Sequence, residues 1–171
     1  MTASKIIFTG NHVLVRERGG WEYVERKSAT EAVAVVAIVD DAEVILVEQY
    51  RRAVHAYVID FPAGLVEELS REETAKNELK EEAGYTCEKL EVIATGPSSP
   101  GITSEILTIY RARDVRKVGE GGGVDGEKIQ VHLVPLGDVR RWLRQKQDKA
   151  VMIDLKVAMY FSAADRQHFS T

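Results

Sequence analysis

In the first half of the chain, apolar and polar residues alternate at the two-residue spacing of β-strands. Turn-forming residues separate these short β-branched runs at Thr9–Asn11, Gly19–Gly20 and Asp40–Asp41. The pattern predicts N-terminal hairpins, then two strands around the Asp40–Asp41 turn. It also predicts a short strand in VIDFPAG that Pro62 and Gly64 interrupt.

The pattern then changes to helical spacing over residues 70–83. Ser70 can cap the helix, and Glu73 three positions later completes a capping box. The apolar positions that follow at helical spacing are Ala75, Leu79 and Ala83. Gly84 supplies a C-terminal stop, so the segment predicts one helix with both ends defined.

The second half returns to strands and closes with helices. CEKLEVIATG, SEILTIYRARDV and KIQVHLVPL predict strands, and the glycine-rich GEGGGVDGE predicts a mobile loop. GDVRRWLRQKQ and DKAVMIDLKVAMYFSAAD predict two helices. The apolar face of the second comprises Val151, Leu155, Ala158 and Met159. This order of elements predicts a mixed α/β (α+β) domain with helices packed on sheets.

Composition narrows the classes of function. A chain of 171 residues suits one sizeable core. The net charge of −4 argues against a broad affinity for nucleic acid or anionic membranes, so local arginines or a metal would have to hold an anionic ligand. The single cysteine, Cys87, favours a reducing cytoplasm. We expect no signal peptide and no membrane span, because long apolar runs are missing.

The segment NELKEEAGY carries three carboxylates on one helical face. Glu78, Glu81 and Glu82 stand at i, i+3 and i+4, where like charges repel. On their own they favour a solvated acidic surface over a cation site. The PAG turn upstream changes that balance, because its backbone carbonyl offers a further hard oxygen ligand of the kind Mg²⁺ prefers.

The whole string GLVEELSREETAKNELKEEAGY resembles the Nudix box. That pattern is Gly, five residues, Glu, seven residues, then Arg-Glu-apolar-x-Glu-Glu-x-Gly-apolar. The positions that match in residue type are Gly64, Glu78, Leu79, Glu81, Glu82, Gly84 and Tyr85. Asn77 stands where the family has Arg, Leu69 stands where the early Glu falls, and the spacer is one residue shorter. Glu67 and Glu68 are candidates to replace that early Glu.

The segments VEQYR, PAG and SSPGITSE are similar to the ADP-ribose pyrophosphatase and nucleoside diphosphate sugar hydrolase branch of that family. The resemblance implies a Nudix fold, with mixed β-sheets in an α/β/α sandwich. It also implies an N-terminal β-hairpin subdomain over residues 1–30, used for homodimerisation, and a hydrolase domain over 31–171. The implied activity is Mg²⁺-dependent hydrolysis of the pyrophosphate bond of ADP-ribose or a related nucleotide sugar, with Mn²⁺ as an alternative ion.

The resemblance also implies roles for individual residues. Glu78, Glu82 and the Ala63 carbonyl would bind the metal, with Glu81 as a further ligand or a water-bridged catalytic partner. Glu127 is the expected general base, with Glu120 and Asp125 as alternatives in the same loop. The residues expected to contact substrate are Arg51, Glu105, Pro100 as the branch marker, and Trp21 with Tyr23 for base stacking.

Two alternatives remain open at this point. Another Nudix substrate is possible, such as a dinucleoside polyphosphate, coenzyme A or a noncanonical nucleotide. The replacements at Asn77 and Leu69 also permit a Nudix-fold nucleotide-binding or regulatory module with little hydrolysis. The sequence leaves open the preferred base and sugar, the phosphorus attacked and the number of metals.

Overall fold

The structure, a computed structural model, describes residues 3–124 and 126–163. The first three strands form their own antiparallel sheet in the order β1-β2-β3: β1 (Lys5–Thr9), β2 (Val13–Arg18) and β3 (Trp21–Arg26). This confirms the predicted N-terminal hairpins. Gly19 and Gly20 join β2 to β3 with φ angles of 61° and 84°, which glycine adopts without a steric penalty.

The remaining strands and the helices follow along the chain. They are β4 (Glu31–Val39), β5 (Glu43–Arg51), β6 (Ala56–Asp60), β7 (Ala63–Leu65), α1 (Arg71–Ala83), β8 (Tyr85–Thr86), β9 (Lys89–Pro97), β10 (Ile106–Arg113), β11 (Arg116–Lys117), β12 (Ile129–Pro135), α2 (Val139–Gln147), β13 (Met152–Ile153) and α3 (Leu155–Ala163). The central sheet runs β13-β6-β5-β4-β10-β9, with β12 also paired to β5 and β7 to β4. It is a mixed sheet, because β4–β10 and β6–β13 are parallel pairs.

Two cores lie on opposite faces of this sheet. Alternate residues of β4 supply both, so β4 is buried on both sides. One core packs the sheet against α1, and its helix residues are Ala75, Leu79 and Ala83. The other packs it against α2 and α3, with helix residues Val139, Leu143, Val157 and Phe161. The expected α/β/α sandwich is therefore confirmed.

Helix α1 has the ends that the sequence predicts. The Ser70 side chain accepts a hydrogen bond from the Glu73 backbone N–H, and the Glu73 carboxylate accepts one from the Ser70 backbone N–H. Gly84 closes the helix with φ 78°, a left-handed conformation, and its N–H donates to the Leu79 and Lys80 carbonyls. Arg71 in the first turn makes a two-pronged ion pair with Glu31, which ties α1 to β4.

The prediction of one long C-terminal helix is wrong in its first half. Met152–Ile153 forms a short strand parallel to β6, and α3 begins only at Leu155. Leu155 and Met159, expected on the buried face, are 74% and 69% exposed, and Val157 and Phe161 pack into the core instead. A short apolar run fits a strand as well as a helix, so periodicity could not separate the two.

Two loops that the sequence singles out can now be described. Pro62 does separate two strands, but Gly64 lies inside β7 and does not interrupt it. The first half of the glycine-rich loop, which the sequence predicts to be mobile, is hydrogen-bonded to the end of α1, with Gly122 N–H donating to the Glu82 carbonyl at 2.8 Å. None of the helices in the described ranges is long and apolar enough to cross a membrane.

Candidate active site

A cavity of about 800 Å³ opens beside the acidic face of α1. Its walls come from β7, the end of β5, the loop after β9 and the loop before β12. It brings together seven of the nine site residues predicted from the sequence: Arg51, Ala63, Glu78, Glu81, Glu82, Glu105 and Glu127. The fold therefore assembles in one place residues that lie up to 76 positions apart in the chain (127 − 51).

The acidic face of α1 packs closely against β7. Glu82 is only 6% exposed, and its Oε2 accepts a hydrogen bond of 3.0 Å from the Ala63 backbone N–H. The Glu78 carboxylate lies against the Cα of Gly64, where a Cβ would overlap it. Gly64 is therefore needed for the helix carboxylates to approach the strand this closely.

Burial changes the proton affinity of these carboxylates. It raises the pKa of Glu82 to about 8, with Glu78 and Glu127 adding to the rise while the Ala63 N–H and the Arg51 charge oppose it. Burial, with the charges of Glu81 and Glu127, raises the pKa of Glu78 to about 7. Two desolvated carboxylates thus share a wall of the cavity with too little positive charge, and a divalent cation would compensate them.

The donor atoms at this wall suit a hard cation. Carboxylate oxygens from Glu78, Glu81 and Glu82 and the carbonyl of Ala63 are ligands that Mg²⁺ and Mn²⁺ accept. Across the described ranges, no group of three or more His, Cys, Asp or Glu side chains is placed so that it could hold a metal ion by itself. Such a group is not required here, because Mg²⁺ keeps several waters and takes oxygens from substrate phosphates.

The loop before β12 places one of the three candidate bases in the cavity. Glu127 lines the cavity, and its side chain packs against Gly123. Its negative charge contributes to the raised pKa of both Glu78 and Glu82. Glu120 points to solvent, with its side chain 93% exposed and 3.6 Å from Lys117. Asp125 lies outside the described residues.

Two arginines and a carboxylate that accepts hydrogen bonds also line the cavity. Arg51 ends β5, and its charge opposes the raised pKa of Glu82. Glu105 accepts hydrogen bonds from Arg26 Nε at 3.0 Å and from Ser98 Oγ at 2.9 Å. Arg26 and Ser98 also line the cavity, and neither residue was assigned a role in the site from the sequence. Arg26 comes from β3, so the N-terminal sheet contributes to this wall.

Trp21 and Pro100 do not line this cavity. Trp21 is 62% exposed on the hairpin sheet, and Pro100 lies in the exposed turn after β9. That turn contacts the hairpin sheet, because Val24 N–H donates to the Ile102 carbonyl at 2.8 Å. Their roles in substrate binding, and the base stacking expected of Trp21 with Tyr23, stay predictions.

The cavity also contains an ionic cluster that the sequence did not reveal. Lys156 Nζ lies 3.0 Å from Asp60 Oδ2 and 2.8 Å from Asp154 Oδ1. Asp60 is buried, and that burial raises the pKa of its carboxyl to about 6 despite the lysine. In the sequence, the only signal was the position of Asp60 just before the Pro62–Gly64 turn. The ion pair itself was not predictable, because Lys156 reaches Asp60 only when β13 pairs with β6.

The two positions that depart from the Nudix box, Asn77 and Leu69, both lie on the surface. Asn77 is exposed, and its side chain makes no hydrogen bond within the described part of the chain, so it does not brace the carboxylates. Leu69 is exposed as well. Of the two candidates to replace the early glutamate, Glu67 lines the cavity, whereas Glu68 is outside its lining.

Comparison with known proteins shows the family of the chain. A family profile described as NUDIX domain matches residues 29–155. The chain is 33% identical over 118 residues to an ADP-ribose pyrophosphatase of Bacillus subtilis, and 32% identical over 118 residues to a methanol dehydrogenase activator of Bacillus methanolicus. Each match covers 68% of this chain and 64% of the relative, so the chain spans less than two thirds of the length of either.

A mouse ADP-sugar pyrophosphatase is 31% identical over 157 residues, covering 82% of this chain and 71% of the relative. A solved structure described as an ADP compounds hydrolase superposes with a TM-score of 0.64 at 25% identity, covering 81% of this chain and 80% of the other. The profile match includes every strand that lines the carboxylate cavity except those of the N-terminal sheet. The chain is therefore a member of the Nudix family.

Proposed function

We propose that this protein hydrolyses the pyrophosphate bond of ADP-ribose or a related nucleoside diphosphate sugar, releasing a nucleoside monophosphate and a sugar phosphate. The observation that carries the proposal is the meeting of Glu78, Glu82, Glu127 and Arg51 around one open cavity. Relatives named ADP-ribose pyrophosphatase and ADP-sugar pyrophosphatase support this substrate class.

The carboxylates of Glu78 and Glu82, with Glu81 and the Ala63 carbonyl, would hold Mg²⁺. When bound, the cation neutralises phosphate oxygens and lowers the pKa of coordinated water. The Ala63 N–H orients Glu82 through its hydrogen bond, and Gly64 keeps Glu78 close to the same turn. Bound substrate phosphates would complete the oxygen shell that the protein leaves open.

Glu127 would act as the general base. It would accept a proton from the water that attacks phosphorus, and the new phosphorus–oxygen bond would form as the bridging oxygen leaves with the other phosphate. Its place in the cavity and its electrostatic effect on Glu78 and Glu82 support this role over Glu120. Arg51, at the edge of the same cavity, is suited to a two-pronged contact with the diphosphate.

The proposal also includes an oligomeric state and a cellular compartment. We propose a homodimer formed through the β1–β3 sheet, which exposes Ile6, Phe8 and Trp21. A homodimer would also permit Trp21 to approach a partner's cavity. The single buried Cys87 fits a reducing, cytoplasmic compartment.

A substrate panel tests the proposal. Purified protein would be incubated with ADP-ribose, UDP-glucose and GDP-mannose, with and without Mg²⁺, and the products separated by chromatography. We expect Mg²⁺-dependent release of a nucleoside monophosphate from at least one substrate, with ADP-ribose the preferred one. No turnover of any nucleotide would reject the hydrolase.

A nucleotide-binding regulatory module is the alternative, favoured by the unbraced Asn77 and by the relative named as an activator. It predicts binding of ADP-ribose in calorimetry without release of products. The same three nucleotides therefore separate the two functions. Retention of all three helix carboxylates favours hydrolysis, because a site without a cation would gain nothing from three repelling charges.

A further inference from the structure

The glycine-rich stretch Val118–Gly123 wraps around the C-terminal end of α1. The last carbonyls of a helix have no partner within the helix and usually turn to water. Here the segment supplies them with donors: Gly123 N–H to the Glu81 carbonyl at 3.0 Å and Gly122 N–H to the Glu82 carbonyl at 2.8 Å. Two of the proposed metal ligands are therefore held through their own main chain.

The same segment is anchored before and after these contacts. Val118 and Gly119 both donate to the Gly84 carbonyl, at 2.8 and 2.9 Å. On the other side, Ile129 N–H donates to the Gly122 carbonyl at 3.2 Å, which connects the segment to β12. The stretch thus bridges the end of α1 and the strand that follows Glu127.

Two glycines in the segment have no room for a side chain. Gly121 adopts φ 73°, and a Cβ there would overlap the backbone of Ala83. Gly123 adopts φ 86°, and a Cβ there would come within 2.7 Å of the Glu127 Cβ. Gly121 therefore sets how closely the segment approaches α1, and Gly123 sets how closely it approaches Glu127.

We propose that Val118–Gly123 is a positioning segment that fixes the α1 carboxylates and Glu127 relative to one another. The inference rests on the proposed function, because it assigns these carboxylates to a cation and a base. A shift of the helix end by the size of one methyl group would move Glu82 away from the Ala63 turn, and reacting groups tolerate displacements of only about 0.5 Å.

The test compares two glycine-to-alanine variants with similar backbone strain. Gly121→Ala introduces the overlap with α1, whereas Gly126→Ala has φ 85° and open space around its Cβ. Mn²⁺ binding to the substrate-free protein would be measured by calorimetry, with thermal unfolding as a check on folding. We expect Gly121→Ala to weaken Mn²⁺ binding by at least about tenfold, as loss of outer-shell support does. Gly126→Ala should bind Mn²⁺ as the wild type does.

Equal Mn²⁺ binding by Gly121→Ala and wild type, or equal losses in both variants, would overturn the proposal. If Gly121→Ala fails to fold, amide hydrogen exchange of the wild-type protein tests the proposal instead. The Gly122 and Gly123 amides should then exchange as slowly as amides within α1, and exchange at free-peptide rates would contradict the proposal. Wild-type protein that binds Mn²⁺ but hydrolyses no nucleotide would remove the hydrolase function without removing this inference.

Discussion

Glu82 is where the helix, the Pro62–Gly64 turn and the proposed cation meet. It is buried, its carboxylate accepts the Ala63 N–H, and burial raises its pKa to about 8. We predict that Glu82→Gln lowers kcat by at least about 100-fold, because a neutral amide binds Mg²⁺ poorly. Steady-state kinetics with ADP-ribose would measure the loss.

The matched control is Glu72→Gln on the same helix. Glu72 lies outside the cavity and accepts a hydrogen bond from the Tyr110 hydroxyl, which a Gln carbonyl oxygen can still accept. Its activity should stay near that of the wild type. Near-normal activity in Glu82→Gln would remove Glu82 from the site.

Glu127 and Glu120 give a second matched pair in one loop. Glu127 lines the cavity, whereas the Glu120 side chain is exposed to solvent. We predict that Glu127→Gln lowers kcat by about 100-fold or more with little change in KM, the signature of a lost proton acceptor. Glu120→Gln should behave as the wild type, and the reverse result would move the base to Glu120.

The raised carboxyl pKa values also predict how stability depends on pH. Above the unfolded value of 4.5, the folded protein keeps protons on Glu78 and Glu82 that the unfolded chain has released. Stability without metal therefore falls as pH rises toward the folded values of about 7 and 8. Burial lowers the pKa of His132, so the contribution of this group to stability rises with pH and opposes the fall.

Thermal unfolding in EDTA would show this between about pH 5 and 8. The wild-type Tm should fall across that range, and Mg²⁺ should restore it most at the high end. Glu82→Gln should fall less steeply, because one of the two groups no longer ionises. Identical slopes in the two proteins would show that Glu82 keeps an ordinary pKa.

At the scale of elements, the site depends on how closely α1 approaches β7. Only Gly64 allows the Glu78 carboxylate to lie against the strand. We predict that Gly64→Ala displaces Glu78 and lowers metal affinity or activity by about 10- to 100-fold. Gly96→Ala in β9 is the control, because its Cβ would meet nothing within 4 Å. A Gly64→Ala variant with wild-type Mg²⁺ dependence would contradict the proposed packing.

At the scale of the whole molecule, exposed apolar residues indicate where a second copy would bind. Ile6 and Phe8 are exposed on the β1–β3 sheet, and Val92 is exposed on the edge strand β9. We predict a dimer in analytical ultracentrifugation that the double change Ile6→Glu with Phe8→Glu dissociates. Val92→Glu should leave the dimer intact, and dissociation by Val92→Glu alone would place the interface at β9 instead.

Features that depend on local spacing were predictable from the amino-acid sequence alone. The capping box at Ser70, the Gly84 stop and the three helix carboxylates all lie within one short segment, so periodicity and end signals suffice to predict α1. The turns between the N-terminal hairpins were predicted for the same reason. Local spacing therefore placed the three carboxylates on one helical face, and the resemblance to the Nudix box suggested a cation there.

The groups that face α1 could be identified only in the folded protein. Three contacts join parts that are distant in the chain: the Lys156–Asp60 ion pair, the Arg26–Glu105 pair and the packing of Val118–Gly123 on α1. Local periodicity carries no information about such contacts. Periodicity also failed to predict the C-terminal segment, because Met152–Ile153 becomes a strand by pairing with β6. Which strands pair depends on how their side chains are buried and packed across the whole domain, so the pairing can be seen only in the folded sheet.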